Sequence, residues 1–288
     1  MITIFTPTYN RAYSLPGLYQ SLCNQTSKNF EWLIVDDGSS DNTEDLIKGY
    51  ISENIISIRY LKQGNGGKHR AINNGVRHAK GDLFFIVDSD DYLTSDAVQW
   101  IESEYHDIKS NSKYAGLSGI MTDKNGRKAG GGEFFETMNC NAIDIRNKYH
   151  ITGDLSEVFK TSVLKEIPFP EIEGEKFCPE ALVWNRIATK YILRYVYKGI
   201  YVCEYLPDGL TAKIVKIRMD SPVASCIYYS EYIQANVPLT EKIKTGINYW
   251  RFYFCKSPHQ KPGISFKWIF TLPFGWLMHL KDLYTTRK

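Results

Sequence analysis

Three carboxylates close an apolar run: Phe84, Phe85, Ile86 and Val87 lead directly into Asp88, Ser89, Asp90 and Asp91. Like charges packed this closely repel one another unless a divalent metal, basic side chains or solvent offsets them. Two aspartates in a D-x-D spacing at a strand end can bind Mg2+ or Mn2+ and leave coordination positions for diphosphate oxygens. The chemistry this favours is a metal carrying phosphate. An Asp-rich turn that merely caps a helix at Thr94 or Ser95 would need the same residues and no metal.

The elements around the triplet decide what it can meet. Ile2, Ile4 and Phe5 form a short strand that stops at Thr6-Pro7-Thr8-Tyr9-Asn10-Arg11, and an amphipathic helix follows from about Leu15 to Cys23. Phe30 to Val35 is a second strand, apolar throughout except for Glu31, as expected where both faces are covered. It ends in Asp36-Asp37-Gly38-Ser39, followed by a helix over Thr43 to Tyr50 and a third strand over Ile56 to Leu61. The glycine-rich turn Gly64-Asn65-Gly66-Gly67 opens a helix from about Lys68 to Ala79, and Leu83 to Val87 is the fourth strand. This alternation predicts an α/β fold with a mostly parallel central sheet and helices on both faces. Ligands of such sheets bind beyond the carboxyl ends of the strands, where the first, second and fourth all end in polar loops. Past Trp100 the pattern loosens to a strand over Tyr114 to Met121, a loop over Asp123 to Gly132, a helix start near Ser162, a helix over Glu180 to Tyr191 and a strand over Tyr195 to Tyr201.

Composition narrows the class. A chain of 288 residues with 43% hydrophobic and 23% charged residues is an ordinary globular protein, and a net charge of +3 gives no ground for nucleic-acid binding. The six cysteines are scattered without a C-x-x-C pair and read as reduced thiols. The start, Met1 to Phe5, is strand-like and lacks the pattern of a secretory leader, so a cytoplasmic location is expected. Trp250 to Lys288 is aromatic and basic: Trp268, Ile269, Phe270, Leu272, Phe274, Trp276, Leu277 and Met278 are flanked by Lys261, Lys267, Lys281, Arg287 and Lys288. Pro273 interrupts this run, which is shorter than the roughly 20 residues that span a bilayer. An interfacial segment on the inner membrane is expected, with a terminal helix packed on the protein's own core as the alternative.

Five motifs in order, Thr6-Pro7-Thr8-Tyr9-Asn10, Val35-Asp36-Asp37-Gly38-Ser39, Asn65-Gly66-Gly67-Lys68, Ala79-Lys80-Gly81 and Asp88-Ser89-Asp90-Asp91, resemble the family 2 glycosyltransferases of the glycosyltransferase A fold. The resemblance covers about the first 100 residues. It implies a Rossmann-like nucleotide-binding half over 1–100, an acceptor half over 101–205 completing the catalytic domain, and a C-terminal extension over 206–288. Pro7 and Tyr9 would line a nucleobase slot, Asp37 would accept a hydrogen bond from a ring N–H, which favours uracil, and Lys68, Asp88 and Ser89 would contact the nucleotide sugar. Asp90 would be the principal ligand of Mn2+ or Mg2+, with Asp88 and Asp91 beside it.

Similar enzymes place an acidic pair before a helix, the second acid six positions ahead of an Arg. Here Pro179-Glu180 precedes Arg186, so Glu180 takes the place of the catalytic base although Pro179 replaces the first acid. Asp154 and Glu175, the latter in an exposed-looking acidic run, are its rivals. The implied activity is inverting transfer from a nucleoside diphosphate sugar, UDP-linked by preference, to a hydroxyl of a glycan or lipid-linked glycan in surface polysaccharide synthesis. A nucleotidyltransferase would carry a glycine-rich loop after the first strand, which Thr6 to Asn10 does not, and a non-catalytic nucleotide- or glycan-binding relative would keep the sheet and lose the base.

Overall fold

Apolar runs become the central strands. In the computed structural model, which describes residues 1–203 and 213–285, β1 (Ile2–Thr8) and β2 (Phe30–Asp36) are buried along almost their whole length. Around them stand α1 (Leu15–Cys23), α2 (Thr43–Glu53), β3 (Ile58–Lys62), α3 (Lys68–His78) and β4 (Leu83–Ile86). The chain continues through β5 (Tyr92–Leu93), α4 (Ala97–Ile108), β6 (Tyr114–Thr122), β7 (Thr137–Cys140), α5 (Ala142–Asn147), β8 (Leu155–Lys160), α6 (Thr161–Glu166), α7 (Glu180–Ala188) and β9 (Ile192–Val202). The sheet runs β3-β2-β1-β4-β8-β6-β9-β5, with β7 also paired to β9.

The first four strands are parallel throughout. The rest of the sheet is mixed: β8 is antiparallel to both β4 and β6, β6 is parallel to β9, and the short strands β5 and β7 lie antiparallel on β9. Parallel pairing needs a crossover of a dozen or more residues, which the helices α1 to α3 supply.

Helices cover both faces. Leu15, Leu18, Leu22, Ile47, Val98 and Ile101 from α1, α2 and α4 pack on Ile2, Ile4, Trp32 and Phe85, each buried Leu or Ile contributing about 1.5–3 kcal/mol. On the other face α3 lies so near β1 that a Cβ on Gly75 would fall 2.2 Å from the Phe5 ring. Glu31, near the start of β2, is buried and met by three donors. It accepts from Thr3 Oγ1 at 2.7 Å, Lys80 N at 2.8 Å and Arg59 Nη1 at 3.0 Å. Burial opposes its ionisation, but these donors outweigh burial and hold its carboxyl below the usual range.

Met1–Pro168 with Ile187–Glu204 form one compact unit, and Phe169–Arg186 with Tyr205–Lys288 a second. The second holds α8 (Ile214–Asp220), α9 (Pro222–Tyr232), α10 (Leu239–Tyr253), a 3-10 turn (Phe266–Thr271) and α11 (Leu272–Thr285), around a core of Cys226, Tyr249, Phe252 and Cys255. Residues 169–186, expected within the acceptor half, thus group with the C-terminal helices: Arg186 grips Glu231 through Nε at 2.8 Å and Nη2 at 2.7 Å. The break at Pro168-Phe169-Pro170 is where the chain leaves the sheet unit. The division expected between residues 205 and 206, and the basic Arg287 and Lys288, lie outside the described residues. All six cysteines are free thiols, and burial pushes the Cys178 thiol up to about 12. Among the described residues no helix is long and apolar enough to cross a membrane.

Candidate active site

The acidic turn begins where the sheet lets go of β4. Val87 N still donates to Phe5 O at 2.8 Å, and Asp91 N then closes on Asp88 O at 3.2 Å. Beneath the turn lies Tyr201 of β9, only 1% exposed. Its hydroxyl accepts from Asp88 N at 3.0 Å and donates to Asp91 Oδ2 at 2.7 Å. Burial first, then the charges of Asp88 and Asp91, push its phenol far above the ordinary range, so it remains a proton donor. Lys68, the first residue of α3, reaches across to Asp88, with Nζ 2.7 Å from Oδ1 and 2.8 Å from Oδ2. Burial and the Asp88 charge raise the Asp90 carboxyl above the usual aspartate range, while Arg11 and Lys68 pull it the other way.

The β2 loop is built by its own acids. Asp36 is buried and accepts from Ser39 N at 2.7 Å and from Tyr60 Oη at 2.6 Å. Gly38 turns the chain at φ +87°, where a Cβ would meet Asn65 N at 3.0 Å. Asp37 clasps the glycine-rich loop: Oδ1 accepts from Gly66 N and Gln63 Nε2, both at 2.8 Å, and Oδ2 from Gly67 N at 2.7 Å and Asn65 Nδ2 at 3.3 Å. A carboxylate has about four lone-pair sites, and protein donors meet all of them here. A ring N–H bound at Asp37 would therefore displace one donor, most easily the long contact from Asn65. The β1 loop is tied in by Asn10, whose N donates to Ser39 Oγ and whose Oδ1 accepts from Ser40 N, each at 2.8 Å. Tyr9 beside it is 49% exposed and thus no part of the core. Pro7 is half-buried and Ser89 is buried.

The strand ends therefore gather Tyr9, Asp37, Lys68, Asp88 and Asp90. Among the described residues no group of three or more His, Cys, Asp or Glu side chains converges as a preformed metal cluster, and Asp91, expected beside the other two, directs an oxygen to Tyr201. Asp88 and Asp90 still suit a hard dication. They offer carboxylate oxygens, and the burial and repulsion that raise Asp90 are the penalties a bound Mg2+ or Mn2+ would relieve.

The three candidate bases differ in setting. Glu180 is the half-buried first residue of α7, in the second unit. Asp154 is exposed just before β8. Glu175 is not the exposed acid its neighbours suggested: it is 4% exposed and accepts from Val223 N at 2.7 Å and Ala224 N at 2.9 Å. It caps α9, and that use explains its burial. Two residues of the site escaped the sequence reading. Arg11 sits one position past the β1 motif, a signal that was available, whereas Tyr201 lies 113 positions from Asp88 with no local mark.

The parallel first half, with its acidic turn beyond β4, has the architecture of the glycosyltransferase A fold. Staphylococcus aureus TarS residues 1–349 in complex with UDP superimpose with a TM-score of 0.62 at 21% identity, covering 89% of this chain and 72% of that one. A Pyrobaculum calidifontis mannosyltransferase in complex with GDP-Man and Mn2+ gives 0.55 at 17% identity, covering 96% of this chain and 73% of that one.

The chain belongs to glycosyltransferase family 2: the sequence profile of "Glycosyl transferase family 2" matches residues 3–150. It is 34% identical over 177 residues to a poly(ribitol-phosphate) beta-glucosyltransferase of Bacillus spizizenii, 59% of this chain and 27% of that protein. It is 30% identical over 224 residues to the GalNAc(5)-diNAcBac-PP-undecaprenol beta-1,3-glucosyltransferase of Campylobacter jejuni, 73% of this chain and 67% of that protein. The match thus spans about a quarter of the Bacillus relative's length and two thirds of the Campylobacter one's.

Proposed function

We propose that this protein is a metal-dependent, inverting glycosyltransferase that moves a sugar from a nucleoside diphosphate donor, UDP-linked by preference, to a hydroxyl of a lipid-linked or polymeric glycan in bacterial surface polysaccharide synthesis. Residues 1–205 are taken as its catalytic domain and 206–288 as an extension. It works in the cytoplasm, and peripheral association with the inner membrane belongs to the same reading. The observation that carries it is the cation-ready pair at the end of β4: Asp88 already holds the Lys68 ammonium, and Asp90 is raised by burial and by its neighbour's charge.

Tyr9 offers its exposed ring to the base. Asp37 holds the Gly66-Gly67 backbone in place and contacts the base edge at the expense of Asn65. When bound, Mg2+ or Mn2+ held by Asp90 and Asp88 supplies Lewis-acid neutralisation of the diphosphate. Lys68 meets the negative charge that develops as the glycosidic bond breaks, a contact stronger in the transition state than before it. Glu180 takes the proton of the incoming hydroxyl, a step worth about 10² to 10⁴-fold.

A panel of nucleotide sugars with Mn2+ tests this by thermal stabilisation, since a ligand at 100 times its Kd adds about 2.7 kcal/mol. One UDP-sugar should stabilise the protein and lose that effect in EDTA. Glu180→Gln should keep the stabilisation and lose transfer. If no nucleotide sugar stabilises the chain, the proposal fails. Pro179 in place of the first acid favours one second reading, a donor-binding protein without transfer activity, which the Glu180 comparison separates.

A further inference from the structure

Helix α11 is turned inside out for a helix in water. Gly275, His279 and Asp282, four and three positions apart, are its buried residues, and they lie against α10. A Cβ on Gly275 would stand 2.5 Å from Trp250 Cβ. Asp282 Oδ1 accepts from Arg251 Nη2 at 2.8 Å, and His279 Nδ1 lies 3.0 Å from Arg251 O. These polar and small residues fix which side of the helix faces out. The outward side carries Phe274 at 58% exposure, Trp276 at 46%, Leu277 at 58%, Leu280 at 40% and Tyr284 at 66%. The 3-10 turn that leads into α11 adds Phe266 at 83% and Phe270 at 51%. A helix packed for water would carry its charges on this side, and contiguous exposed apolar surface of this kind marks a docking face.

Charge selects the occupant. Between residues 254 and 285 the sequence holds Lys256, Lys261, Lys267 and Lys281 against a single acid, Asp282, and that acid is buried against Arg251. Lys267 and Lys281 are exposed on the same turn and helix as the aromatic residues. Trp, Tyr, Phe and Leu with lysines at their edge suit the interface of an anionic bilayer. A second copy of this chain would bring the same lysines against one another.

We infer that α11 and the turn before it seat this protein in the headgroup layer of an anionic membrane, with Phe274, Trp276, Leu277 and Leu280 among the acyl chains and Lys267 and Lys281 on lipid phosphates. For its purpose, access to a lipid-linked acceptor, the inference rests on the proposed function. Its physics does not.

The test is co-sedimentation of the full chain with phosphatidylglycerol or phosphatidylcholine vesicles. The unaltered protein should bind the anionic vesicles and bind the neutral ones far less. Leu277→Ser/Leu280→Ser and Lys267→Glu/Lys281→Glu should each reduce that binding by about tenfold or more, with unchanged circular dichroism and melting. Absent binding by the unaltered protein overturns the inference, as does undiminished binding by both variants. A concentration-dependent dimer that the serine variant breaks, without vesicle binding, also overturns it and assigns the face to a second copy. UDP-sugar stabilisation is read on the same samples. If it persists while vesicle binding is absent, only the docking falls; if vesicles bind but no nucleotide does, only the glycosyltransferase reading falls.

Discussion

Replacing Tyr201 with Phe removes one oxygen atom from beneath the acidic turn and opens no cavity for the ring, which keeps its edge-on contact with Phe85 at 6.1 Å between centroids. Two hydrogen bonds disappear: the 2.7 Å donation to the Asp91 carboxylate and the 3.0 Å acceptance from Asp88 N. A hydrogen bond to a charged group contributes about 1.5–3 kcal/mol, and a buried donor left unsatisfied adds to the loss, so the expected cost is about 2–4 kcal/mol. For a chain of this size each kcal/mol lowers Tm by about 2–4 °C. Asp88 and Asp91 also lose the anchor that sets their turn, and Mn2+-dependent binding of a UDP-sugar should weaken by roughly tenfold, the equivalent of 1.4 kcal/mol. Scanning fluorimetry with a donor titration measures both effects on one sample. A Phe variant that melts within about 1 °C of the parent and binds donor equally well would refute the claim that Tyr201 holds the site.

Three other substitutions probe separate parts of the same unit. Asp90→Asn should raise stability near neutral pH, because burial and the Asp88 charge oppose ionisation of this carboxyl; the gain should vanish as pH falls below the ordinary aspartate value of 3.8, while metal-dependent transfer is lost at every pH. In the parent, metal-supported donor binding should fade on acidification at a higher pH than an ordinary aspartate would give, as protons compete for the raised group. Glu31→Ala should cost about 3–5 kcal/mol in urea denaturation, as removal of one partner of a buried ion pair does. The native environment lowers the Glu31 pKa, so its contribution is whole above the ordinary value of 4.5 and is lost as pH falls through the depressed one; the Ala variant should show a flatter acid limb. Asp37→Asn leaves a single acceptor oxygen for four N–H donors, so amide exchange at Gly66 and Gly67 should speed up and donor affinity should drop by about tenfold or more.

The parallel half was readable because its signals are local. Leu15 to Cys23 and the runs of β1, β2 and β4 carry their own periodicity, and the loops after them are short and polar. Other elements left no such trace. Tyr92–Leu93 has two residues and exists only because β9 lies beside it. Thr137–Cys140 does alternate polar and apolar residues, but over only four positions, too short a run to stand out. Of α5 there was a missed sign, the Asn141 side chain accepting from Ile143 N and Asp144 N. Glu175 misled because capping of α9 across 48 positions cannot be seen in an acidic run. Long-range polar contacts of this kind decide whether an acid is exposed, and periodicity does not report them.

The return of β9 to the sheet has a consequence for how this chain is made. Residues 169–186 depart for the other compact unit before Tyr201 arrives under a turn emitted 113 residues earlier. A ribosome-bound fragment ending before β9 therefore carries every motif of the proposed donor site and lacks the Tyr201 floor on which Asp88 and Asp91 rest. Pairing over such a span closes late, so competence is withheld until synthesis has passed the excursion. Fragments cut at residue 168 should behave as unfinished proteins, however complete their signature looks on paper.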